Sequence, residues 1–138
     1  MMKAKSYATL KRKLDKVFSE WVRRGPGNVT SRACVSCGRI DFWQRLHAGH
    51  FVSRVRLATR WDPENVHCQC SRCNIFLRGN AVGYARFLER KYGPKIFATL
   101  DERSRRPVKY RRGDLQAMIE EYQAKLDAMD DTPTMEAT

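Results

Sequence analysis

The chain has 138 residues, 42% of them hydrophobic, and 27 Lys and Arg against 15 Asp and Glu, for a net charge of +12. That length fits one domain, 1–138, with a modest core. No apolar run approaches a membrane span, and the start MMKAKSYATLKRK lacks the apolar stretch of a secretory signal, so the protein is expected in the cytoplasm and off the membrane.

The charge is uneven. Residues 1–112 carry 26 basic and 8 acidic groups, whereas 113–138 carry 1 and 7. A field of that sign attracts a polyanion, nucleic acid foremost, with an affinity that falls steeply as salt rises. A basic protein without such a partner is the bland alternative.

Residues 4–24 place Leu10, Leu14, Val17, Phe18, Trp21 and Val22 at helical spacing, with Lys and Arg on the other faces. The pattern predicts an amphipathic helix whose basic face is solvated or lies on phosphates. Gly25-Pro26-Gly27-Asn28 ends it.

Cys34-Val35-Ser36-Cys37 and Cys70-Ser71-Arg72-Cys73 follow, separated by the 32 residues from Gly38 to Gln69. Two C-x-x-C pairs give four thiolates with the spacing of a closed, tetrahedral Zn²⁺ site, and a closed site is structural. Four of five cysteines in paired knuckles point to reduced thiols. The fifth, Cys68, reads as a small buried strand residue rather than a spare ligand.

Between the knuckles, residues 40–52 suggest extended structure interrupted at Ala48-Gly49, where a glycine marks either a bulge or a close backbone approach. Residues 53–64 read as a basic loop with Arg54, Arg56 and Arg60 available to phosphates. Residues 65–69 form a short return strand, and a helix starting near Ser71 carries Asn74 and ends around Arg78-Gly79-Asn80. His47 is either a ligand or a polar strand residue; His67 reads as structural.

The second half is helical: 81–92 stopped by Gly93-Pro94, a shorter helix over 95–102, and a helix from Gly113-Asp114 bearing Leu115, Met118, Ile119, Tyr122, Leu126 and Met129. Between the last two, RSRRPVKYRR packs six basic residues into ten, with Arg105, Arg106, Lys109, Arg111 and Arg112 as candidate phosphate contacts beside Arg78. A flexible tail is expected over 130–138. The helices at 4–24 and 114–129 are candidates for a homodimer interface.

His50, Asn65 and Asn74, placed in this order of elements, resemble the HNH nucleases with their ββα-metal site. The sequence is more closely similar to the phage lambda NinG/Rap recombination endonuclease family, through C-V-S-C-G at 34–38, A-G-H-F at 48–51, E-N-V-H at 64–67, Q-C-S-R-C-N at 69–74, G-N at 79–80 and Tyr84. The likeness covers roughly 30–95, more weakly to about 127. It implies an α+β, mainly helical fold. An HNH-like core with structural zinc over 30–80 would be followed by a helical part over 81–129.

The same resemblance implies an endonuclease of phage recombination that nicks branched DNA, such as Holliday junctions and D-loops, leaving 5′-phosphate and 3′-hydroxyl ends. Carried over, His50 is the general base, Asn65 orients the base or braces the loop, and Asn74 holds a catalytic Mg²⁺ or Mn²⁺. The family's Asp-Ala-Gly-His pattern has His47 in place of its Asp here, so His47 becomes the candidate second ligand; its joint use with His50 calls for a bulge at Gly49. An imidazole in place of a carboxylate favours Mn²⁺, Co²⁺ or Ni²⁺ over Mg²⁺. Relatives carry an extra charged, Cys-containing N-terminal segment that is expected to be missing here. A non-catalytic zinc module that binds nucleic acid is the alternative function.

Overall fold

A computed structural model describes residues 4–134. Helix α1 (Tyr7–Arg24) opens on Ser6, whose hydroxyl accepts from the Thr9 N–H, so it begins at its cap rather than at residue 4. Strands β1 (Ser31–Ala33) and β2 (Ile40–Phe42) pair antiparallel, Arg32 opposite Asp41, and the first cysteine knuckle is their loop. A 3₁₀ turn over Trp43–Arg45 follows. Strand β3 (His47–His50) pairs antiparallel with β4 (Val66–Gln69), and the connection between them contains the short helix α2 (Leu57–Arg60). After β4 come the second knuckle and a π-helical turn, Arg72–Phe76. Helices α3 (Ala81–Tyr92), α4 (Ile96–Ser104) and α5 (Arg112–Asp130) complete the order.

The architecture is mainly helical α+β, two small hairpins set among helices. The expected break at Ala48-Gly49 lies elsewhere: the extended stretch is interrupted at Trp43–Arg45, and β3 runs through Gly49 in regular register. Gly49 is the close-approach case. A Cβ there would overlap the Gln69 side chain across the ladder.

Three clusters hold the fold. α1 and α5 bury their apolar stripes against each other, with Leu14 and Leu115 fully enclosed and Phe18 edge-on to Tyr122 at 4.9 Å. Each such side chain contributes about 2 kcal/mol, well above the fraction of a kcal/mol from an exposed pair such as Glu121–Lys125. These stripes are spent within the chain, so the surfaces expected to make a dimer are largely the core. A second cluster gathers Cys34, Leu46, Cys68, Cys70 and Cys73; a third joins Tyr84 and Leu88 to Ile96 and Leu100. Asp130, the start of the expected tail, ends α5 and pairs with Arg24 at 2.6 Å; residues 135–138 lie outside the described part.

Candidate active site and metal centres

The four knuckle cysteines converge, with every Sγ within 4.8 Å of the others. Local structure brings them there. The Cys34 oxygen accepts from the Gly38 N–H at 2.8 Å, tightening the first knuckle, and Gly38 takes φ +81°, open to glycine. The Val35 N–H donates to the Cys68 oxygen at 2.9 Å, tying this knuckle to β4. Cys37 and Cys70 Sγ stand 3.7 Å apart, too far for a disulfide. Four sulfurs at about 2.3 Å from one tetrahedral ion are separated by about 3.8 Å, so the cluster fits Zn²⁺. Burial, with the neighbouring thiols adding to it against the Asn80 hydrogen bond, pushes the Cys73 thiol up to about 12.

Ladder alternation sorts the remaining candidates. His47, Gly49, His67 and Gln69 share one face of β3–β4; Ala48, His50, Val66 and Cys68 share the other. With no bulge at Gly49, His47 and His50 point to opposite faces.

On the first face, His47 Nδ1 lies 3.0 Å from Asn74 Nδ2. Rotating the carboxamide by half a turn puts Oδ1 in the same place. Two donors 3.0 Å apart match adjacent corners of an octahedron with bonds of about 2.1 Å, the geometry of Mg²⁺. As placed, Asn74 donates its N–H to His47 Nδ1; with the carboxamide turned, the pair would offer a divalent ion two of its ligands. His67, deeper on this face, is structural. Tyr84 O–H donates to the Gly49 oxygen at 2.7 Å, so His67 donates from Nδ1 to Tyr84 Oη at 3.0 Å and accepts Tyr92 O–H at Nε2, 2.8 Å. Burial lowers its pKa to about 4.

On the second face, His50 enters a cleft of about 430 Å³ between α1 and the β3–β4 connection. Its Nε2 is 2.8 Å from the Arg60 oxygen. A carbonyl only accepts, so Nε2 carries the proton and Nδ1 keeps a lone pair, with no other hydrogen bond among the described residues. Burial, reinforced by the charges of Arg54 and Arg60, holds its pKa below 6.5 despite the hydrogen bond to Arg60. The imidazole is neutral at pH 7.

Asn65 is fully buried and fully committed. Its Oδ1 accepts from the Val52 N–H at 2.7 Å, and Nδ2 donates to the Val52 and Thr59 oxygens, each at 3.0 Å. It clamps the connection between β3 and β4 and touches no open space.

The candidate phosphate contacts divide. Arg60 is buried, its Nε and Nη2 on Asp15, and Arg54 also reaches Asp15 at 3.1 Å. Arg105 and Arg106 pair with Asp101 and Glu102 one helical turn back. Arg56, Arg78, Lys109, Arg111 and Arg112 are exposed and lack an ion pair among the described residues. Sequence reasoning did not single out the other wall of the His50 cleft, where Arg12, Lys16 and Arg23 line one side of α1 with Asp15 beneath. Their spacing marks a helix face, but nothing local says what it covers.

The bacteriophage lambda NinG protein family matches residues 1–132. Protein ninG of Salmonella phage P22 is 32% identical over 102 residues, covering 72% of this chain and 48% of the relative. Protein ninG of Escherichia phage 933W and that of Enterobacteria phage VT2-Sa are each 30% identical over 94 residues, covering 67% of this chain and 46% of the relative. The chain thus spans about half the length of the curated relatives it matches. No solved structure matches it. No helix among the described residues is long and apolar enough to cross a membrane. A family match across nearly the whole chain, together with relatives of the same name in three phages, places this protein in the bacteriophage lambda NinG family.

Proposed function

We propose that this chain is a metal-dependent, HNH-type endonuclease of phage recombination that nicks branched DNA, such as Holliday junctions and D-loops. The observation that carries the reading is the state of His50: a neutral imidazole with Nε2 anchored on the Arg60 oxygen and Nδ1 unengaged, in a cleft with five cations and one acid.

Hydrolysis of a phosphodiester needs a base for water and positive charge around an anionic centre. His50 Nδ1 takes a proton from a water poised in line with phosphorus. Phosphorus gains that oxygen and its bond to the 3′ oxygen breaks, the leaving oxygen taking a proton from solvent water, giving 5′-phosphate and 3′-hydroxyl ends. Arg54 and the Arg12, Lys16 and Arg23 stripe hold the phosphate chain against the cleft. Asn65 acts as a positioning residue, clamping the segment that runs from His50 to Arg60. His47 and Asn74 would hold a divalent cation, which would supply positive charge for the phosphate and its departing oxygen. The bulge that joint use of His47 and His50 called for is not there; His47 lies on the face opposite His50, the face also of position 49, where many HNH nucleases carry an Asp ligand directly before the base, so the two groups would reach one phosphate only from the two sides of β3.

The four-cysteine zinc site ties the ends of the segment carrying these groups and does no chemistry. The deciding experiment incubates labelled junction, duplex and single-stranded DNA with the wild type and His50→Ala, with and without Mn²⁺. Metal-dependent junction nicking, lost by at least about a hundredfold in the variant with binding retained, is expected for a general base. Binding without nicking by the wild type makes the chain a non-catalytic zinc module.

A further inference from the structure

Two adjoining cavities share no lining residue with the His50 cleft. One, of about 610 Å³, lies between β1, the first knuckle and α3; Arg32, Arg86, Arg90 and Lys91 line it, with no acid. The other, of about 500 Å³, is apolar, with Trp21, Pro63, Tyr92 and Met129 in its walls and, again, no acid. Arg32, His67 and Lys91 belong to both, so the two form one continuous groove, cationic at one end and aromatic at the other.

The border residue is unfinished. Arg32 Nη1 is buried without a hydrogen-bond partner, and Arg32 has no ion pair among the described residues. Arg32 lines both cavities with no acid beside it, so its guanidinium is available to pair with an anionic oxygen in the groove. Arg86 and Arg90, one helical turn apart on α3, are exposed and likewise free of ion pairs among the described residues. Lys91 lies over the Phe87 and Tyr92 rings, and Lys125 over Trp21 at 5.1 Å, so cations frame the aromatic end too.

We infer that this groove binds single-stranded nucleic acid, with phosphates along Arg32, Arg86 and Arg90 and an unpaired base in the apolar cavity beside Trp21 and Tyr92. Cationic tract and aromatic platform together are what single strands require; duplex DNA hides its base faces and would use only the cationic half. The cavity falls within the size range of small-molecule pockets, ample for one base. The inference rests on the proposed function for nucleic acid as the partner and not for its chemistry. It also gives an enzyme for branched DNA a means to sense strands that have left the duplex.

The test is fluorescence anisotropy with the zinc-loaded full chain and no added Mg²⁺ or Mn²⁺. Labelled oligo(dT) is compared with an abasic oligonucleotide of equal length, on the wild type and on Arg86→Ala/Arg90→Ala, whose exposed positions leave the fold intact, as circular dichroism checks. Oligo(dT) is expected to bind about tenfold tighter than the abasic strand. The double variant should lower oligo(dT) affinity and flatten its log–log salt dependence by about 1.4, the release of two phosphates' counterions. Equal binding of oligo(dT) and abasic strand, or unchanged oligo(dT) affinity in the double variant, overturns the inference. Junction nicking by the wild type is scored separately, so loss of the nuclease reading leaves this result standing, and the reverse.

Discussion

His50 donates Nε2–H to the backbone oxygen of Arg60 at 2.8 Å, while the guanidinium of that same Arg60 is clasped by Asp15 of α1, through Nε at 2.9 Å and Nη2 at 2.6 Å. Trp61 Nε1 adds a bond to Asp15 at 2.9 Å. One carboxylate on the first helix thus fixes the peptide that orients the candidate base.

Asp15→Ala tests that relay. Burial raises the Asp15 pKa, but hydrogen bonds and charge from Arg60, helped by Trp61 and Arg54, more than offset it and hold the carboxyl below 3.8. Removing it leaves Arg60 buried without its acid, at a cost of about 2 kcal/mol once partial exposure is allowed for. Nicking kcat should fall about 10- to 100-fold as the base loses its orientation. DNA affinity should not weaken, since the variant is more positive. Equal losses in kcat and affinity would point to general unfolding instead.

The His47–Asn74 pair makes a prediction about metal choice. Asn74→Ala should keep the zinc content and thermal unfolding of the wild type, yet lose nicking by at least about a hundredfold. His47→Asp restores a hard oxygen and should move the preferred ion from Mn²⁺ toward Mg²⁺. If His47→Ala nicks like wild type with Mg²⁺, Mn²⁺, Co²⁺ and Ni²⁺ alike, His47 is no ligand.

Zinc content separates the cysteines. Cys73→Ser should lose the stoichiometric Zn²⁺ and, with it, the thermal transition of the hairpin region, because metal binding free energy is folding free energy in such sites. Cys68→Ala should retain zinc, as its Sγ faces the Val22 oxygen at 3.5 Å and burial keeps its pKa raised. Metal analysis and thermal unfolding of the two variants read this directly.

Acid should loosen the fold through His67. Its pKa is about 4 folded and about 6.5 unfolded, so between those values the unfolded chain binds the extra proton. The stability is fully present above pH 6.5 and is lost as pH falls toward 4, by about 3 kcal/mol. Urea unfolding of zinc-loaded wild type and His67→Gln across that window should show the steeper decline in the wild type. Parallel pH profiles would remove His67 as the source.

Much of this was legible along the chain. The apolar repeats of residues 4–24 and 114–129 show two helices whose stripes must be buried, and C-x-x-C spacing shows chelation, because both depend on residues a few positions apart. Gly49 read correctly as a site of either bulge or close approach, but only its cross-strand neighbour Gln69 decides between them. The 3₁₀ turn at Trp43–Arg45 carries no Gly or Pro to announce it.

By itself, then, the sequence determined the helices, the knuckles, the basic field and the family. The first three arise from local periodicity, short-range chelation and composition; the family rests on the likeness of the ordered motifs. Only the tertiary structure decided that Asp15 holds Arg60, 45 positions away, that His47 meets Asn74 while His50 turns to the other face, and that Arg32, Arg86 and Arg90 border one groove. Each of those depends on which surfaces the buried stripes bring together, and a stripe specifies that it must be covered without naming its cover.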